Sequence, residues 1–452
     1  MLDSNNIFQN SLFVSCSGLL VISSLLVFGR KLNFAIKLER IGLPIAVICG
    51  IFGIIIGPYG LLNFVSEETT DIWEASLTPL LSLVFATLML GRPIPALKGL
   101  IKPILNQFLL ALSLGFGQFF VGGLVVKYFL SNSMQVNPLM SCLIEVGFEG
   151  GHGAASIIGN SFIKMGFPEG LDLGLAMATM GLLSSSLIGS IFIFAGNIFN
   201  LTNQKNISEK MYLNEITYKF KFISDLRILI INLGLAGIAI TIGILLNQIL
   251  RYLSFFLGPF SREIIYSLPI FPLILIGSLL VRYFLEKTEK TELISQILQR
   301  EMGILSTDLL IFAAMASLNL STVLGNWVPI LLLTIVGLIW NILCIGFYAY
   351  FVFDEYWFEK SLAEFGNSTG VVASGLLLLR LADPNNISKT LPIFTSKQLF
   401  AQLLLSGGFF TVLSPILLSR IGLDYWMEIC AIFAFIITFI AFFINNKITI
   451  LK

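Results

Sequence analysis

The sequence predicts an all-α polytopic membrane protein: two inverted-topology repeats of five transmembrane helices, each with a re-entrant hairpin, and an extra C-terminal helix. Three observations carry this. The 452 residues are 56% hydrophobic and 12% charged, against roughly a quarter charged in soluble domains. The apolar residues fall in blocks of about 18 to 27, long enough to cross a bilayer. Glycine-rich breaks interrupt the pattern near 140–165 and 359–382. Non-helical backbone survives at membrane depth only when buried in protein or lining a wet cavity. A barrel is excluded, because its strands would alternate apolar and polar residues.

In chain order the predicted spans are 8–28, 42–64, 75–91 and 102–130, the broken region 140–165, then 171–198. After a polar stretch at 201–224 come 225–250, 263–286, 304–320, 327–353, the broken region 359–382, 397–419 and 424–446. The first apolar run, Leu12 to Phe28, has no basic stretch before it and reads as a spanning helix rather than a cleaved signal. Loop charge orients the set. Arg30, Lys31, Lys37 and Arg40, and then Arg92, Lys98 and Lys102, mark cytoplasmic loops; Glu67, Glu68, Asp71 and Glu74 mark an outer one. The polar stretch 201–224, with Lys205, Lys210, Lys219 and Lys221, stays inside only if 140–165 enters and leaves on the outer face. The same treatment of 359–382 makes it re-enter from the cytoplasm. The N-terminus is then outside, and the C-terminal Lys447 and Lys452 are cytoplasmic.

The halves echo each other. Leu43-Pro44 with Gly50 matches Leu268-Pro269 with Gly277, and Thr78–Thr87 resembles Thr307–Ala314. Glu149-Gly150-Gly151-His152-Gly153 stands opposite Glu364-Phe365-Gly366-Asn367-Ser368-Thr369-Gly370. The predicted organisation is a first repeat at 1–200, a cytoplasmic linker at 201–224, a second repeat at 225–420 and an appended helix at 421–452. Inverted repeats with interrupted helices are a plan of secondary transporters, with substrate bound at the repeat interface.

Two opposed hairpins direct helix N-termini, with partial positive charge and unpaired N–H groups, at one central cavity, which suits a carboxylate. Carbonyls freed at the breaks suit a sodium ion, which takes hard oxygen ligands. The competing reading is that the glycines serve close helix packing. His152, the one histidine, is a candidate for substrate contact or a proton relay; it equally suits a structural donor at a hairpin tip. Glu149 and Glu364 are costly in a membrane interior without partners. They are candidates for an ion or a substrate amino group, or else packing partners in a wet vestibule. Asp308 is a third ion candidate, against the plainer reading of an N-cap to an apolar helix. Arg380 either clamps a second carboxylate or snorkels beside Asp383. The five cysteines lack metal-ligand spacing and read as packing residues. A net charge of +1 gives no field for nucleic acid. No nucleophile–base pair or metal cluster suggests an enzyme, and no cofactor is expected beyond Na+ as a coupling ion.

Gly150-Gly151-His152-Gly153-Ala154-Ala155, followed by Gly166-Phe167 and Leu175-Ala176-Met177-Ala178-Thr179-Met180-Gly181-Leu182, resembles a signature of the bacterial sodium/glutamate symporter family. Weaker likeness extends to about residue 420. The resemblance implies a homodimer in the bacterial inner (plasma) membrane. It implies sodium-coupled symport of L-glutamate, with a core domain carrying the site against a scaffold in an elevator motion. It places Gly150, Gly151, His152 and Gly153 at the first hairpin tip and Gly366, Asn367, Ser368, Thr369 and Gly370 at the second. The second tip departs from the family's Gly-His-Cys-Gly-Phe-Gly pattern, and Ala154 stands where the family has Thr. The alternatives are a sodium-coupled di- or tricarboxylate transporter, or a non-transporting membrane receptor or scaffold on the same fold.

Overall fold

The computed structural model describes residues 18, 20–25, 27–29 and 31, then 45–445 apart from 61, 92–99, 203–225, 259–261, 263–264, 267–269, 354 and 385–386. The basic positions Arg30, Lys37, Arg40, Arg92 and Lys98, the Leu43-Pro44 and Leu268-Pro269 pairs, and nearly all of the polar linker lie outside the described residues. Those described are helical or in turns, without a strand. Seven helical stretches among them, one of them Thr390–Ile421 with a break inside it, are long and apolar enough to cross a membrane, as befits a multi-pass membrane protein. In a bilayer the helix satisfies its own backbone groups, so apolar runs of this length have little alternative.

The elements are α1 (Ile45–Ile56), α2 (Glu67–Leu90), α3 (Ile101–Val125), α4 (Leu143–Gly147, preceded by a 3-10 turn at Pro138–Cys142), α5 (Gly151–Lys164) and α6 (Gly170–Ile198). Then come α7 (Leu226–Ser254), α8 (Phe271–Lys287), α9 (Gln296–Ala316), a short α10 (Leu320–Gly325) and α11 (Trp327–Leu343). The chain closes with α12 (Trp357–Thr369), α13 (Val372–Ala382), α14 (Thr390–Leu404), α15 (Phe409–Ile421) and α16 (Leu423–Asn445). Both α3 and α11 run on through a five-residue π-turn, Val126–Leu130 and Cys344–Tyr348, into one more α-helical turn.

Helices α1, α2, α7, α8 and α9 pack on one another, and α3 to α6 with α11 to α16 form a second group. In the first group Trp73 meets Phe312 edge-on at 5.2 Å. In the second, α3 is central: 83% of its most apolar stretch is buried, against 28% for α7 and α16, which are left to face lipid. That explains why α3 carries the buried polar residues Gln107, Ser113 and Gln118, which an isolated span would not tolerate. Helix α6 has glycines where the hairpin elements approach. A Cβ on Gly174 would lie 3.1 Å from that of Ala155, and one on Gly189 2.5 Å from Leu378. At Gly181 it would meet Phe148 at 2.9 Å and the Thr369 carbonyl at 2.3 Å.

Two expectations are corrected. The run 397–419, read as one continuous span, is interrupted between α14 and α15, where Ser406 and Gly407 take positive φ of 58° and 88°. Ser406-Gly407-Gly408 supplies the residues for such a turn. Asp308 does not cap a helix. It lies in the interior of α9, which starts twelve residues earlier behind Ser295, whose hydroxyl accepts from the Leu298 N–H at 3.3 Å. The polar turn Gln299-Arg300-Glu301 reads as loop in the sequence but belongs to the helix.

Candidate functional site

The stretch 138–164 folds back on itself. Asn137, before its first arm, accepts from the Leu139 N–H at 3.0 Å, and its Nδ2 donates to the carbonyl of Gly166, beyond the second arm, at 3.0 Å. Phe162 and Phe167 close the same end, ring to ring at 5.3 Å. The turn lies at Phe148–Gly150, and α5 starts with Gly151 at φ +66°, a conformation costly for other residues. A Cβ there would also lie 2.5 Å from Val371 Cγ1, so the two hairpin turns touch. The second hairpin, α12 and α13, closes so tightly that a Cβ on Gly366 would lie 2.6 Å from the Gly375 Cα.

A cavity of about 240 Å³ opens between the two helix groups. The first turn contributes Glu149, Gly150, His152 and Gly153; the start of α13 contributes Val371 to Ala373. Thr307 and Asp308 line it from α9, Thr87 from α2, and Gln402, Ser406 and Gly407 from the break between α14 and α15. The first-turn N–H groups of a helix have no intrahelical acceptor. Two helix N-termini, of α5 and α13, therefore present donors and partial positive charge to one space.

His152 is 1% exposed. Its Nε2 lies 3.1 Å from Thr179 Oγ1, and that hydroxyl donates its proton to the Leu175 carbonyl at 3.0 Å. Thr179 is thus the acceptor and Nε2 the donor, which fixes the neutral tautomer with a lone pair on Nδ1. Nδ1 is buried and has no protein partner, so the ring keeps an unpaired acceptor beside the cavity.

The predicted second-tip residues do not line this cavity. Asn367, Ser368 and Thr369 are fully buried. Gln398 donates to Asn367 Oδ1 at 2.8 Å, and Gln118 to the Ser368 carbonyl at 2.7 Å. Asn341 Nδ2 donates to the Ser368 carbonyl at 3.2 Å and to Thr369 Oγ1 at 3.0 Å. Gly366 and Gly370 serve the arm contact: a Cβ on Gly370 would lie 2.7 Å from Ser374 Oγ. Glu364 also stands apart from the cavity. It pairs with Lys397 at 2.6 Å, both side chains fully buried, and its second oxygen accepts from Gln107 at 3.4 Å. Arg380 is exposed in the last turn of α13, while Asp383 accepts from the N–H groups of Ile387 and Ser388. Arg300, which the sequence did not single out, is the basic residue at the cavity margin.

Glu145 and Glu149 meet the α14–α15 break. Thr411 donates to Glu145 Oε1 at 2.6 Å, the Ser406 N–H approaches the same oxygen at 3.4 Å, and Ser406 Oγ lies 3.4 Å from Glu149 Oε1. No group of three or more His, Cys, Asp or Glu side chains converges among the described residues. Lys397, Gln398, Gln402 and Thr411 do not stand out in the sequence because they sit in or beside an apolar run. Their signal was the clustering of Lys397, Gln398 and Gln402 ahead of Ser406-Gly407-Gly408.

A family model described as sodium/glutamate symporter matches residues 12–356. No curated protein matches the sequence. Among solved structures, the sodium proton antiporter MjNhaP1 from Methanocaldococcus jannaschii at pH 8 aligns with 89% of this chain and 99% of its own, at 17% identity and a TM-score of 0.42.

Proposed function

Because this chain belongs to the sodium/glutamate symporter family, we propose that it is a secondary transporter coupling sodium to the uptake of L-glutamate or a similar small anionic amino acid. The observation that carries this reading is the pair of helix N-termini, α5 and α13, opening on one cavity beside His152. A substrate carboxylate lies over the N–H groups at Gly151–Gly153 and Val372–Ala373, where helix ends favour negative charge. The ammonium group lies on the His152 side of the cavity, and Arg300 attracts the second carboxylate. Among the three carboxylates considered for sodium, Glu149 and Asp308 border the cavity, whereas Glu364 is already bonded to Lys397.

The work is alternating access, not covalent chemistry. The residues 1–200 and 225–420 form inverted repeats joined by the linker 201–224, with 421–452 appended. The matching π-turns of α3 and α11, each followed by a hairpin, support that division. The hairpins enter the bilayer from opposite faces. The group containing them is the moving core, and α1, α2 and α7 to α9 are the scaffold, dimeric in the bacterial inner membrane. The cavity between the groups supports an elevator motion. The N-terminus is outside and the C-terminus cytoplasmic.

The test is uptake of radiolabelled L-glutamate into proteoliposomes under an inward sodium gradient, with aspartate and dicarboxylates as competitors. His152→Ala should weaken uptake while the protein still elutes as one folded species. Sodium-independent behaviour, or no uptake of any anionic substrate, would overturn the proposal and favour a receptor or scaffold.

A further inference from the structure

Glu145, in the first arm of the hairpin, and Glu149, in its turn, are four residues apart, and both reach the break between α14 and α15. We propose that they form the coupling-cation site, a sodium ion held by Glu145, Glu149 and Gln402 against Ser406. This rests on the transporter reading and gives its cation a position. Three observations support it. Each carboxylate keeps an oxygen, Oε2, without a protein partner although Glu145 is 0% and Glu149 2% exposed. Gln402, 8% exposed and one turn before Ser406, holds Oε1 without a partner at the same cavity. The buried Lys397 acts on Glu149 electrostatically but bonds Glu364.

Glu145 and Glu149 have no ion-pair partner of their own, so the two buried carboxyl groups either hold protons or share a cation, and the cation is the state proposed here. The unpartnered acceptors are all hard oxygens, the donor set of a sodium, magnesium or calcium ion rather than of a transition metal. Thr411 holds the site together: it donates to Glu145 at 2.6 Å and accepts from the Gly407 N–H at 3.1 Å. Glu149, Gln402 and Ser406 border the cavity, so the ion reaches its place through the space proposed for the substrate.

The experiment measures ²²Na⁺ binding to the purified full chain without any organic substrate, so its outcome does not depend on which anion is carried. Wild-type protein should bind saturably. Glu145→Gln and Glu149→Gln should each weaken binding by about tenfold or more, since ligand charge count sets the affinity of oxygen-ligand sites. The exposed Glu428→Gln should bind as wild type. On unmutated protein, sodium but not choline should protect Glu145 and Glu149 from carbodiimide modification, read by mass spectrometry. Absent ²²Na⁺ binding, wild-type binding in both variants, or modification indifferent to sodium would overturn the site. Sodium binding with no glutamate uptake would leave the site standing and refute the substrate reading instead.

Discussion

Lys397→Met tests how far the second hairpin depends on a charge pair within the protein. Lys397 Nζ and Glu364 Oε1 are 2.6 Å apart and both side chains have 0% exposure. Gln107, at 3.4 Å, is the other side-chain donor to Glu364. Removing the ammonium leaves a buried carboxylate supported by one long hydrogen bond. Breaking a buried pair in this way costs about 3–5 kcal/mol. Replacing both partners by apolar residues of similar volume is often neutral or better, so Lys397→Met with Glu364→Leu should recover most of the loss. The assay is unfolding by SDS titration in mixed micelles, run as a double-mutant cycle. A single-variant cost below about 1 kcal/mol, or a double variant equal to the sum of its singles, would refute the reasoning; interacting residues deviate from additivity by about 0.5–3 kcal/mol.

Gly151→Ala should destabilise by about 1–2 kcal/mol from its left-handed backbone alone, and its Cβ would press on Val371 Cγ1 at 2.5 Å. Val371→Ala should restore part of the thermal midpoint and of the uptake; no rescue would mean that the turns are not in contact. Gly166→Cys and Ile387→Cys, the latter at a half-exposed position, should react with an impermeant thiol reagent from opposite compartments. Labelling of both from one side would remove the opposed hairpins and the inverted repeat with them.

The membrane class was legible in the sequence because lipid leaves a chain few ways to satisfy its backbone. The first turn was legible because glycines and a histidine stood between apolar runs. The further break, at Leu405–Gly408, was not. Its polar residues belong to a run apolar enough to span, and only contact with Glu145 and Glu149 shows why the helix opens there. The sequence also could not tell that Asn367, Ser368 and Thr369 are taken up by Gln118, Asn341 and Gln398. Those amides are 250, 27 and 31 residues distant in the chain from their partners, and local pattern carries no trace of such pairings. Of the two readings of Asp308, an ion ligand or a cap, the cap falls because a polar first turn hides the true start of α9.

Helix α6 gives the two tips a common bearing. Gly181 leaves room for Phe148 of one hairpin and the Thr369 carbonyl of the other at the same level of the same rod. Bulk at that one position would push against both at once. A shift of either turn presses on its counterpart through a shared piece of backbone.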